Sequence, residues 1–202
     1  MNNINKEDME YKSFKESVKE FTRYDFTLSL IYASFGVDKF KSEFDKFSYA
    51  SVLRSCGKFS QAEKIINLIQ QERIPDKYHF RYFLELGFLY FEWGKYELAK
   101  INFNKSIELN PDSTVPFVFL SNILLKEEKI EESIQVLLHG AQMQGDLDEV
   151  YYNLGTRYAM MGEYSKSLEA FLVCKGINPD FENLMLFIED IEQCLKLKNK
   201  MN

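Results

Sequence analysis

The sequence predicts an all-α chain of antiparallel helix pairs repeated along its length. Three observations carry that expectation. The stretch "LGFLYFEWGKYELA", Leu86 to Ala99, returns as "LGTRYAMMGEYSKS", Leu154 to Ser167, an offset of 68 residues or twice 34. A fixed period of roughly 20–50 residues marks stacked repeats. Each copy holds two apolar stripes at helical spacing, split by a glycine-containing turn. Only nine glycines and four prolines occur in 202 residues, too few turns for a many-stranded sandwich or barrel.

From the N-terminus, residues 1–42 form a separate extension. Within it Tyr11, Phe14, Val18 and Phe21 fall at 3-4-3 spacing, which predicts an amphipathic helix over 6–23. Residues 24–35, "YDFTLSLIYASF", alternate like a strand at Phe26, Leu28, Leu30 and Tyr32. Leu28, Ile31 and Phe35 also fit a helix, and the helical context favours the latter. Residues 43–79 hold a first copy of the repeat: Tyr49, Ala50, Leu53, Gly57, Phe59, Ala62, Ile66, Ile69 and Pro75. It is about three residues longer than the others and has Lys46 at an aromatic position. The second copy, 80–113, predicts helices over about 81–93 and 96–109, ended by "LNPD", since Pro111 disfavours helical geometry at Asn110. The third, 114–147, keeps Phe117, Leu120, Ser121, Leu124, Ser133, Leu137 and Gly140, with Gly145 in place of proline. The fourth, 148–181, pairs with the second at Tyr90/Tyr158, Gly94/Gly162, Tyr96/Tyr164, Phe103/Phe171 and Pro111/Pro179. Residues 182–202 place Leu184, Ile188, Ile191 and Leu195 on one stripe and Lys196, Lys198 and Lys200 at the negative helix end. That is a capping helix of the kind a repeat array needs.

The order aromatic, Leu-Gly, Tyr, small, Phe, small, Pro resembles the tetratricopeptide repeat. The second copy carries it as Phe83, Leu86-Gly87, Tyr90, Ala99, Phe103, Ser106 and Pro111. The fourth carries it as Tyr151, Leu154-Gly155, Tyr158, Ser167, Phe171, Cys174 and Pro179. The resemblance covers four repeats over about residues 43–181. It implies a right-handed superhelix, an α-solenoid whose concave groove is lined by the first helix of each pair.

Composition narrows the function. The segments 1–42, 43–181 and 182–202 carry seven basic and seven acidic, 15 and 20, and three and four charged groups, so no basic stripe exists and nucleic acid is not the expected partner. No apolar run reaches the ~18–20 residues that span a bilayer, and the N-terminus lacks an apolar signal region, so a cytoplasmic location and no membrane partner are expected. Cys56, Cys174 and Cys194 are odd in number and widely spaced, which disfavours a disulfide framework or a metal site. His79 and His139 have no ligand spacing around them, Cys174 occupies a packing position, and the glycines serve repeat geometry rather than a phosphate loop. The acidic pairs Glu127-Glu128 and Glu131-Glu132 read as a solvated turn. The expectation is a non-enzyme with no cofactor and no metal.

The resemblance assigns the partner-binding groove to Phe44, Phe47, Arg81, Leu84, Phe88, Phe91, Val115, Val118, Phe119, Asn122, Leu125, Tyr152, Asn153 and Met160. It also allows a test for the two-carboxylate clamp that binds heat-shock chaperone tails. The clamp positions hold Phe47, Ser51, Glu85, Val115 and Phe119, or one repeat later Leu84, Phe88, Phe119, Glu149 and Asn153. Neither set supplies the Lys, Asn and Arg required. The expected function is an adaptor that holds an apolar peptide or helix of a protein partner. Two alternatives stand beside it: a small dedicated chaperone masking one client, similar to secretion chaperones, and a structural homodimer with the groove filled by its own N-terminal segment, residues 1–36.

Overall fold

The computed structural model describes residues 42–201. The helix expected over 6–23 and the ambiguous segment 24–35 lie outside the described residues. The described residues divide into two compact units, the first ending at Asn102 and the second beginning at Phe103. All regular structure among the described residues is helical.

In the first unit, α1 (Glu43–Ser55) starts at a capping box. Ser42 Oγ accepts the Asp45 N–H at 3.1 Å, and the Ser42 N–H donates back to Asp45 Oδ2 at 3.1 Å. This reciprocal pair satisfies two donors that a helix start leaves open. α2 spans Phe59–Asn67 and α3 His79–Glu92. The core between them is Phe47, Ala50, Leu53, Ala62, Ile66, Leu86 and Leu89, joined by Ile69 and Ile74 from the α2–α3 connection. That connection holds two short 3-10 turns, Gln71–Arg73 and Asp76–Tyr78, and accounts for the longer first interval. Lys46 explains its departure from the repeat pattern here. Its ammonium pairs with Glu43 at 2.9 Å and donates to the Leu68 carbonyl at 3.0 Å, while Glu43 accepts the Gln70 N–H at 2.9 Å. The cation fastens the connection where an aromatic would only pack.

α4 (Tyr96–Leu109) runs through the boundary between the units. The second unit continues with α5 (Val115–Lys126), α6 (Ile130–Gly140), α7 (Asp148–Met160), α8 (Tyr164–Ile177) and α9 (Leu184–Met201). Val118, Ile134, Leu137, Val150, Leu154 and Ala170 form one core cluster; Phe171, Cys174, Leu184, Ile188 and Ile191 form another. α9 therefore buries the stripe that the sequence gives it, and Lys198 Nζ donates to the Gly162 carbonyl at 3.3 Å.

Two contacts explain the small residues. Ser133 Oγ donates to the Ser121 carbonyl at 2.9 Å between α5 and α6, and Ser167 Oγ donates to the Gly155 carbonyl at 2.8 Å between α7 and α8. The helices cross so closely that a Cβ built on Gly155 would lie 2.5 Å from the Phe171 ring. Gly145 is forced in the same way: a Cβ there would meet the Asp112 carbonyl at 2.5 Å, so no side chain fits where other copies place proline.

One turn recurs four times. Lys58, Lys95, Lys129 and Glu163 each donate a backbone N–H across the turn, to the carbonyls of Leu53, Tyr90, Leu124 and Tyr158 at 2.8, 2.8, 2.9 and 2.9 Å. This is the 6→1 bond of a helix ending in a left-handed residue. Gly57, Gly94 and Gly162 fill that left-handed position with φ of 70°, 76° and 73°; in the third copy Glu128 occupies it at φ 62°.

Candidate functional site

In the first unit, the residues assigned to the inner face pack around cations. Phe44 meets Tyr78 edge-on at 5.7 Å and Phe47 at 6.3 Å, and the Arg81 guanidinium lies 5.9 Å from both Phe rings. Arg54 sits 5.4 Å over the Phe88 ring and pairs with Glu92. Leu84, Phe88 and Phe91 are half-buried, with Phe91 tilted against Tyr96 at 6.1 Å. Phe47 is 3% exposed and belongs to the core. Burial raises the Glu85 carboxyl above its ordinary range, while Arg54 and Arg81 pull it down.

In the second unit, Val115, Leu125 and Asn153 are half-buried, as is Phe119, whose ring tilts against Phe103 at 5.5 Å. Val118 is a buried core residue. Tyr152 stacks on Phe181 at 4.8 Å and meets Phe187 edge-on at 5.6 Å. Met160 is 57% exposed, the most open of the assigned side chains. Asn153 Nδ2 donates to the Glu149 carbonyl at 2.7 Å. A cleft of about 460 Å³ beside Val115 is lined by Thr114, Asp146, Asp148, Glu149, Ile177 and Asn178. Burial raises the Glu149 carboxyl, and the neighbouring Asp148 and Asp146 raise it further.

One residue at this site escaped the sequence. Arg157 is buried, and its Nε donates to Ser133 Oγ at 3.3 Å, its Nη1 to Thr156 Oγ1 at 2.9 Å and its Nη2 to Asn122 Oδ1. It links α5, α6 and α7 through neutral acceptors. Burial lowers its pKa, and Tyr152 opposes that shift. A lone arginine in a variable repeat position carries no sequence signal that separates it from a surface charge.

The groups considered for chemistry are held by packing. His79 Nε2 lies 3.0 Å from the Gln71 carbonyl and 2.8 Å from that of Ile74, and one N–H can serve both. His139 meets Phe117 edge-on at 5.1 Å. Burial, then Asp148, pushes the Cys174 thiol up to about 11, away from the thiolate form a nucleophile needs. Among the described residues, no cluster of three His, Cys, Asp or Glu is arranged to hold a metal, and no helix is long and apolar enough to cross a membrane.

Residues 80–113 match the family model of the tetratricopeptide repeat. Solved structures share the fold. A thermophilic TPR protein of Thermus thermophilus superposes with a TM-score of 0.71 at 13% identity, over 91% of this chain and 99% of that one. The C-terminal part of a TPR repeat-containing protein from Cytophaga hutchinsonii gives 0.66 at 15% identity, over 93% and 73%. The first TPR of Spaghetti (RPAP3), solved bound to an HSP90 peptide of sequence SRMEEVD, gives 0.53 at 15% identity, over 58% and 93%. Identities this low establish shared architecture alone. No curated protein sequence matches the chain. Residues 80–113 thus match the tetratricopeptide repeat, and the chain shares the all-α helical-repeat fold of solved TPR proteins.

Proposed function

We propose that the chain is a non-catalytic interaction adaptor that holds an apolar peptide or helix of a protein partner against the first helices of its repeats. The observation that carries this reading is the side-chain row of the second unit. Val115, Phe119, Leu125 and Tyr152 are apolar and half-buried, and Met160 is exposed at the end of α7. A ligand that completes the burial of such side chains gains ~1.5–3 kcal/mol for each one taken fully out of water. The fold supports the same class of activity, since RPAP3 was solved with a peptide bound. The clamp positions for such an acidic tail hold Phe47, Ser51, Glu85, Val115 and Phe119, or one repeat later Leu84, Phe88, Phe119, Glu149 and Asn153, so neither set supplies a clamp's basic residues.

The test is selection of short random peptides on the purified full chain, followed by hydrogen exchange with a selected peptide bound. The expected result is new protection on α5 and α7. Protection confined to α6 and α8 contradicts the reading. A homodimer is the second reading, favoured by exposed Leu172 and Ile177 on α8 and Met185 and Leu186 on α9. A solution mass that stays monomeric at high concentration removes it.

A further inference from the structure

We propose that the partner segment carries an acidic side chain, received in the second unit by the Asn122 amide backed by the buried Arg157. The inference rests on the adaptor reading and specifies the chemistry of its ligand. Arg157 is 5% exposed, and an arginine does not shed its proton at physiological pH. Its acceptors are a serine, a threonine and an asparagine, all neutral, and among the described residues no carboxylate lies within ion-pair distance of it. A buried charge without a counter-ion is unfavourable unless something else neutralises it. Glu149 is on the same helix but eight residues earlier, ~12 Å along the axis, among its own acidic neighbours.

The geometry directs that charge outward. Asn122 turns Oδ1 to the guanidinium, so its Nδ2 points away from Arg157. Among the described residues, no acceptor takes a hydrogen bond from that Nδ2. Thr156 spends its hydroxyl hydrogen on the Asn153 carbonyl at 2.8 Å, so it too presents only an acceptor to Arg157. Asn122 falls on the row that the resemblance assigns to the inner face. The cation thus polarises an amide donor at the surface where the partner would lie. A backbone carbonyl could accept from Asn122 but would leave the positive charge uncompensated. An Asp or Glu side chain supplies both the acceptor and the counter-charge. Lys and Arg at that point of the ligand would be rejected.

The experiment uses peptides selected on the full chain, made with amidated C-termini so that only side-chain carboxylates are present. The expected result is apolar peptides with one Asp or Glu whose replacement by Gln or Asn weakens binding about 10- to 100-fold, the range of a charge-assisted hydrogen bond. Asn122→Asp places a carboxylate against Arg157 within the protein. It should raise the thermal midpoint and abolish the preference for the acidic peptide over its amide twin. Apolar peptides that bind equally well as acid or amide overturn this inference and leave the adaptor reading standing. Failure to select any peptide overturns the adaptor reading and this inference with it. An Asn122→Asp chain no more stable than wild type shows that Arg157 needs no counter-ion and overturns the inference without reference to any peptide.

Discussion

Replacing Gly155 with alanine tests the helix crossing at the centre of the second unit. The added Cβ would sit 2.5 Å from two atoms of the Phe171 ring and 2.9 Å from a third, where contact normally begins near ~3.5 Å. Phe171 is 1% exposed and enclosed by Cys174, Leu184 and Ile188, so the ring has nowhere to move. The helices must part by about an ångström. Overpacking of this kind costs about 1–3 kcal/mol. Parting also weakens the Ser167 bond to the Gly155 carbonyl, another ~1 kcal/mol. Alanine's better helix propensity returns about 1 kcal/mol. The net expectation is a loss of about 1–3 kcal/mol, read by urea denaturation with the slope unchanged. Gly176 is the control. It lies in α8 with nothing within 4 Å of a built Cβ, so Gly176→Ala should stabilise by up to ~1 kcal/mol. Trimming the ring with Phe171→Leu should partly rescue Gly155→Ala. Gly155→Ala as stable as Gly176→Ala would refute the close-crossing account.

Two further perturbations probe the same scaffold. Glu128→Gly should stabilise by about 0.5–1 kcal/mol, because the left-handed turn strains a side-chain-bearing residue and glycine's extra unfolded-state freedom offsets only part of the gain; an unchanged denaturation midpoint contradicts this. Tyr90 donates its hydroxyl to Glu63 at 2.6 Å, and burial followed by that bond holds the phenol at about 12, above its ordinary 10.0. The fold thus favours the neutral phenol. Its contribution is full below pH 10 and is lost as the pH rises from there to about 12. Tyr90→Phe should therefore be less stable than wild type at neutral pH, with the gap closing above pH 10; a gap independent of pH argues against the bond.

The features legible in the sequence were those that recur. Gly57, Gly94 and Gly162 appear at a fixed place because one turn geometry demands a left-handed residue there. Gly155 and Ser167 are small because two helices touch. The α9 stripe was legible because burial repeats every three or four residues along a helix. What stayed hidden was local and used once. Lys46 reads as a flaw in the repeat until the Leu68 carbonyl appears beside it. Gly145 reads as a lost proline until the Asp112 carbonyl fills the space. The resemblance places Phe47 and Val118 on the inner row with their neighbours, yet both are core residues, because a helix wedged between others buries more than one stripe. Arg157 was invisible because its role depends on Asn122, Ser133 and Thr156, which only folding brings around it.

The central claim is that a partner lies on the first helices of the repeats. Its most direct test is the affinity of one selected peptide for three chains that remain folded by circular dichroism: Met160→Glu and Leu125→Glu on that face of the second unit, and Leu172→Glu, 50% exposed on a second helix. The account predicts a loss of roughly tenfold or more for the first two, from the ~1.5–3 kcal/mol that a buried apolar side chain contributes, and unchanged affinity for Leu172→Glu. Full affinity in Met160→Glu and Leu125→Glu, or loss confined to Leu172→Glu, would contradict it.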